Sequence, residues 1–114
     1  MSVAPNMIAA VVMTFLGIIA LLRPQAVGEF VGLDPVGSDG RAELRSKMGG
    51  FFIALGITAL VINDPDVYIL LGTGWAGSVM ARIFSAFADK ALSWRTIAGI
   101  GIELIIALMF FIRA

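Results

Sequence analysis

Four long apolar runs, joined by short polar connections, decide what this chain can fold into. Met1 to Leu22 holds no ionisable side chain, and Met7 to Leu22 is almost purely apolar. Met48 to Ile62 is uncharged, Val67 to Ala88 carries only Arg82, and Thr96 to Ile112 carries only Glu103. Crossing a bilayer takes roughly 17–25 helical residues at ~1.5 Å each. The second run reaches that length if its helix starts near Ser38-Asp39, residue types that cap helix N-termini. Any one run alone would suit the core of a soluble protein. Four of them in 114 residues leave no polar sequence to build a wetted surface: 60% of residues are hydrophobic and 14% charged, where a soluble domain carries about a quarter charged. The expected fold is therefore all-α, an integral membrane four-helix bundle in one domain over 1–114. Its spans are expected near 5–23, 41–62, 66–88 and 96–113.

Several function classes drop out on composition. The formal net charge is zero, so no basic field attracts nucleic acid. Cysteine and histidine are absent, which removes disulfides, thiol nucleophiles, common zinc ligand sets and imidazole ligation of haem. No cofactor and no metal are expected. Acid–base chemistry would rest on Glu103, Glu43 or Asp89 with no nucleophile beside them, so an enzyme is not expected.

The first run ends at Arg23-Pro24, a cation followed by a helix breaker. A signal peptide is the rival reading, but such segments carry positive charge before the apolar stretch. None precedes Arg23, and an uncleaved first span is expected. Asn63-Asp64-Pro65-Asp66 is a tight turn that makes spans two and three an antiparallel hairpin, and Asp89 to Arg95 is a second short connection. Pro24 to Gly37 is longer, with Val27, Phe30, Val31 and Leu33 spaced among polar residues and glycines. It reads as a short helix lying at the membrane interface or as an ordinary surface loop.

The connections alternate between two sides. One receives both termini and the 63–66 turn, with Arg113. The other receives Arg23, Arg41, Arg45, Lys47, Lys90 and Arg95, with Arg82 in the adjoining half-span. The positive-inside rule puts that second side in the cytoplasm and both termini in the periplasm.

Hydrocarbon offers helices no hydrophobic reason to associate, so small residues and buried polar contacts must hold them. Gly49, Gly50 and Gly56 in span two, and Gly72, Gly77 and Ala81 in span three, are the candidate packing positions. Contact is expected among spans two, three and four or between protomers, with span one the more tolerant. Intramembrane charge is costly and normally faces protein or water. Counted from the cytoplasmic ends, Arg45, Arg82 and Glu103 each lie roughly 9–10 Å deep at helical rise. Glu103 can pair with Arg82, Arg45 or both, in the forked geometry that guanidinium offers. Three readings follow: a structural clamp; an anion site for a lipid head group or carboxylate, lined by Ser46, Lys47 and Ser85; or separate arginines snorkelling to the head groups.

The stretch Glu43-Leu44-Arg45-Ser46-Lys47-Met48-Gly49-Gly50 followed by Gly56, the Pro24…Gly32-Leu33 segment, Arg82 followed by Ser85 and Asp89, and Glu103 resemble a family of small four-helix bacterial membrane proteins, domain of unknown function 4345. The resemblance covers nearly the whole chain. It implies a bacterial inner-membrane protein and marks Glu43, Arg45, Gly49, Gly50, Arg82, Asp89 and Glu103 as family-like positions. Lys47-Met48 departs from the aromatic that the family pattern places beside the glycine pair. The family brings no reaction with it.

The expected function is a non-catalytic accessory, scaffold or lipid-binding subunit. Its expected partners are membrane lipid and either a homo-oligomer or a larger membrane complex. A small transporter or channel using the charged cluster is the alternative. Small multidrug transporters have similar length and span number, but they need an acid in the first helix, and span one here has none.

Overall fold

The computed structural model describes residues 3–90 and 93–113. Among them the fold is all-α, with five helices and no strand. Helix α1 spans Pro5–Leu22, α2 spans Pro24–Val31, α3 spans Gly37–Ile62, α4 spans Pro65–Ala88 and α5 spans Trp94–Phe111. Helices α1, α3, α4 and α5 are each long and apolar enough to cross a membrane, at 18, 26, 24 and 18 residues. Large apolar side chains cover their outer faces, among them Phe15, Leu70, Phe84 and Phe87.

Local chemistry sets the helix ends. Pro24 stops α1 and then starts α2 at the first helical position, where its missing N–H costs nothing. Gly32 ends α2 in the left-handed region at φ 81°, and its N–H and that of Leu33 both donate to the Gly28 carbonyl. The segment between Arg23 and Gly37 is therefore a helix with a tight exit rather than an irregular loop. Asp64 caps α4 by accepting the Asp66 N–H at 2.8 Å, with Pro65 at the first position. Ser93 caps α5 by accepting the Thr96 N–H at 3.3 Å.

Helix α3 departs from expectation in two ways. It begins at Gly37, beside the expected Ser38-Asp39 start, but its cap position is Val36, with no side-chain cap. Ser38 and Asp39 fall inside the first turn instead. One π-helical turn, Arg45–Gly50, also sits between the α-helical stretches Gly37–Leu44 and Phe51–Ile62. There the Phe51 N–H reaches back five residues to the Ser46 carbonyl. Such a turn inserts one extra residue into the helix.

The chain divides into two compact units, one of residues Ala10–Ile62 and one of Met1–Ala9 with Asn63–Ala114. In the first, α1 and α3 meet backbone to backbone. A Cβ built on Gly17 would lie 2.8 Å from the Gly49 carbonyl oxygen and 2.9 Å from the Ile53 nitrogen. One on Gly49 would lie 3.1 Å from the Leu21 backbone, and one on Gly56 2.9 Å from the Ala10 carbonyl oxygen. Thr14 completes the seam, its hydroxyl donating to the Ala10 carbonyl at 2.8 Å while it packs on Gly56. Span one is thus the close neighbour of span two, and Gly17 is one of the tightest positions rather than a tolerant one.

The second unit closes around aromatic rings. Tyr68 and Phe110 are fully buried and stacked, with centroids 6.3 Å apart. The Tyr68 hydroxyl donates to Asn63 Oδ1 at 2.9 Å. Gly72 admits Phe110 and Phe111, which would meet a Cβ there at 2.9 and 3.1 Å. At the same end the N–H of buried Asn6 donates to the Ile112 carbonyl at 3.1 Å.

Gly50, Gly77 and Ala81 do not join these seams. No described atom comes within 4 Å of a Cβ built on Gly77, and the nearest to Gly50 is the Arg45 carbonyl oxygen at 4.0 Å; Ala81 is exposed. Angular position explains the sorting. At ~100° per residue, Gly77 sits about 140° around the helix from Gly72, and Gly50 about 100° from Gly49. One of each pair meets a neighbour and the other faces away.

Candidate functional site: an ion pair between α4 and α5

In the unit containing α4 and α5, the charged side chains in the middle of each helix, Arg82 and Glu103, meet. Arg82 Nε donates to Glu103 Oε1 across the helix pair. The Glu103 side chain is 9% exposed and that of Arg82 32%, so the acid is enclosed while the base keeps one edge open. Gly99 makes the meeting possible. It lies one turn before Glu103 on the same face, and a Cβ there would stand 3.0 Å from Arg82 Cζ. The guanidinium therefore rests on bare α5 backbone beside the carboxylate. Glycine here provides space, not flexibility.

Along α4 the polar groups continue toward the end of the helix. Ser85 Oγ donates to Asp89 Oδ2 at 2.8 Å. Arg82, Ser85 and Asp89 follow one another at three- and four-residue steps, which keeps them on one helical face. Asp89 also closes the helix, its N–H donating to the Ser85 carbonyl. The result is a short polar file that starts at an exposed carboxylate and ends on a buried one. Because cation and anion face each other inside, the buried part carries no net formal charge.

Arg45 and Glu43 belong to the other unit, where both are exposed on α3. Arg45 opens the π-helical turn, with Ser46 and Lys47 following it. Of the candidate cluster, the structure brings Arg82 and Glu103 together, binds Asp89 to Ser85, and leaves Arg45 and Glu43 on the surface of α3. Among the described residues no group of three His, Cys, Asp or Glu side chains is placed to hold a metal ion.

Three contributors escape a reading of charges alone. Gly99 had a signal: a glycine four residues before a buried acid clears the surface where a long cation would lie. Thr14 had a weaker one, a hydroxyl in an otherwise apolar span. The π-helical turn had none, since one inserted residue leaves no mark on an apolar run with glycines at its end.

Neither the curated proteins nor the solved structures contain a match to this chain. The model of one family, a domain of unknown function (DUF4345), matches residues 6–113. That is nearly the full length, and the chain belongs to this family.

Proposed function

We propose that this protein is a multi-pass inner-membrane protein of bacterial type, serving as a non-catalytic accessory, scaffold or lipid-binding subunit. One observation carries the reading: the buried carboxylate, Glu103, is taken up by Arg82. A carboxylate meant for proton abstraction or cation binding needs a free oxygen facing a substrate. One locked to guanidinium satisfies a buried charge and fixes the register of two helices. The asymmetry of Lys and Arg supports cytoplasmic placement of the α1–α3 and α4–α5 connections, with both termini periplasmic. Membrane lipid and other membrane chains, including further copies of this one, are the partners that such a clamp leaves room for.

A transporter or channel is the second reading, favoured by the open edge of Arg82 and the Ser85–Asp89 pair beside it. Purification in mild detergent followed by native mass spectrometry separates the two. The accessory reading expects a stoichiometric protein or lipid that stays bound when Glu103→Gln and Arg82→Gln are combined. Loss of an anionic small molecule from Arg82→Gln, with the fold intact, would favour transport. For orientation, a periplasm-dependent reporter should work after Ala114 or within 63–66 and stay silent within 89–95. The reverse pattern overturns the topology.

A further inference from the structure

Helix α2 presents three different sides, and together they define how it meets its surroundings. Pro24 and Gly28 are buried, and Val27 and Val31 half-buried, on one side. At ~100° per residue these four fall within one third of the helix circumference. The remaining exposed positions do not mix. Gln25 and Glu29 form a polar strip on one flank of the packed side; Ala26 and Phe30 form an apolar strip on the other. On α2 Phe30 is 64% exposed, and in the exit from the helix Leu33 is 53% and Val36 84% exposed.

This arrangement is held in place, not floppy. A Cβ on Gly28 would collide with the Leu33 carbonyl oxygen and come 3.1 Å from Pro35. One on Gly40, in the first turn of α3, would lie 2.9 Å from the Pro35 backbone. The exit from α2 is thus pressed between α2 and the start of α3. The segment is also tethered at both ends, since α1 stops at Leu22 and α3 starts at Gly37, and both are span-length apolar helices. A 14-residue connection between two spans on one side of a bilayer stays close to its surface.

We propose that α2 and its exit form an in-plane wedge. Ala26, Phe30, Leu33 and Val36 enter the boundary between head groups and acyl chains, while Gln25 and Glu29 face the water. Exposed apolar side chains beside charged ones suit that boundary, where amphipathic helices settle about 5–10 Å deep. The occupant of the apolar strip is the bilayer the protein already spans, not another protein. Between Arg23 and Arg41, both exposed, lie three acids, Glu29, Asp34 and Asp39, so the segment has a formal charge of −1. The wedge therefore has no need of anionic lipid. The inference rests on the membrane-spanning reading and is independent of what the protein does there.

The chain contains no cysteine, so single-cysteine spin labels test this directly. Labels would be placed at Ala26, Phe30, Leu33 and Val36, and at Gln25 and Glu29, in protein reconstituted into phosphatidylcholine vesicles. The ratio of collision with oxygen to collision with a water-soluble nickel chelate should be several-fold higher at the first four than at the last two. It should be unchanged when a fifth of the lipid is phosphatidylglycerol. Leu70→Cys, on the exposed face of α4, is the control: an aqueous signal there sinks the spanning reading itself. A lipid signal at Leu70 with aqueous signals at all six α2 sites overturns the wedge alone. So do labels at Phe30 and Leu33 that are immobilised and shielded from both reagents, because protein then covers the strip.

Discussion

The two units hold their helices together by opposite means. Between Ala10 and Ile62, contact comes from what is missing: Gly17, Gly49 and Gly56 have no side chains, and at Gly17 and Gly56 carbonyl oxygens lie 2.8 and 2.9 Å from where a Cβ would be. Between Asn63 and Phe111, contact comes chiefly from what is present: an ion pair laid on Gly99 and a stacked Tyr68–Phe110 pair beside Gly72. For helices that cross a membrane both answer the same problem, that lipid tails are as apolar as leucine and give no drive for helix association. The first seam relies on dispersion over close surfaces, and its strength is spread over many small contacts. The second concentrates strength in a few polar groups whose exposure to hydrocarbon would be costly. A glycine seam should therefore fail by crowding, and a polar seam by losing one partner.

The largest expected effect tests the polar seam. Glu103→Gln strands a guanidinium, and breaking a buried pair costs about 3–5 kcal/mol. The partly exposed Arg82 can regain some solvent, which places the expectation at the lower end. Arg82→Gln should cost a similar amount. The double variant should recover part of it, so a thermal-unfolding cycle in detergent should show clear non-additivity. Strictly additive losses would mean the two charges do not depend on each other.

Crowding the glycine seam comes next. Gly17→Ala and Gly56→Ala place a methyl group against backbone, and overpacking costs typically about 1–3 kcal/mol. Thr14→Ala should relieve part of the Gly56→Ala penalty, because the Thr14 hydroxyl oxygen is the nearest atom in the way. Indifference of the melting temperature to both alanines would show that α1 and α3 are not held at glycine distance.

The smallest effect sharpens the contrast by its sign. Gly77→Ala meets open space, so what remains is the helix preference for alanine, worth about 0.5–1 kcal/mol in favour. The same substitution should thus stabilise at 77 and destabilise at 17. A loss at 77 comparable to that at 17 would reveal a neighbour on that face of α4.

Particular residues show how far the sequence carried. Uncharged runs bounded by Arg23-Pro24 and by Asn63-Asp64-Pro65 are enough to place the long helices, because length and proline act locally. The ion pair was legible down to two candidate arginines, since equal depth is simple arithmetic on helical rise. Choosing Arg82 over Arg45 takes tertiary structure: Gly99 opens α5 to a guanidinium from α4. The glycines were found but not sorted. Gly72 and Gly77 look alike as letters, and only the face that meets Phe110 separates them. Gly17 looked expendable because its run lacks other small-residue pairs, whereas a single glycine suffices when the partner helix supplies Gly49 opposite.

The bond from Asn6 to the Ile112 carbonyl sets an order of events during synthesis. Residues 10–62 are contiguous, so their seam has everything it needs once Ile62 has left the ribosome. The other unit is interrupted in sequence, because the first turn of α1 belongs with segments that start at Asn63. Fifty residues separate Ile62 from Ile112, about 3–10 s at typical elongation rates. For that interval the amide of Asn6 lacks its eventual acceptor, and the first turn of α1 must wait for the residue that follows α5. Truncated chains that stop before Ile112 should therefore retain a protease-resistant 10–62 segment while leaving the first turn of α1 open to cleavage.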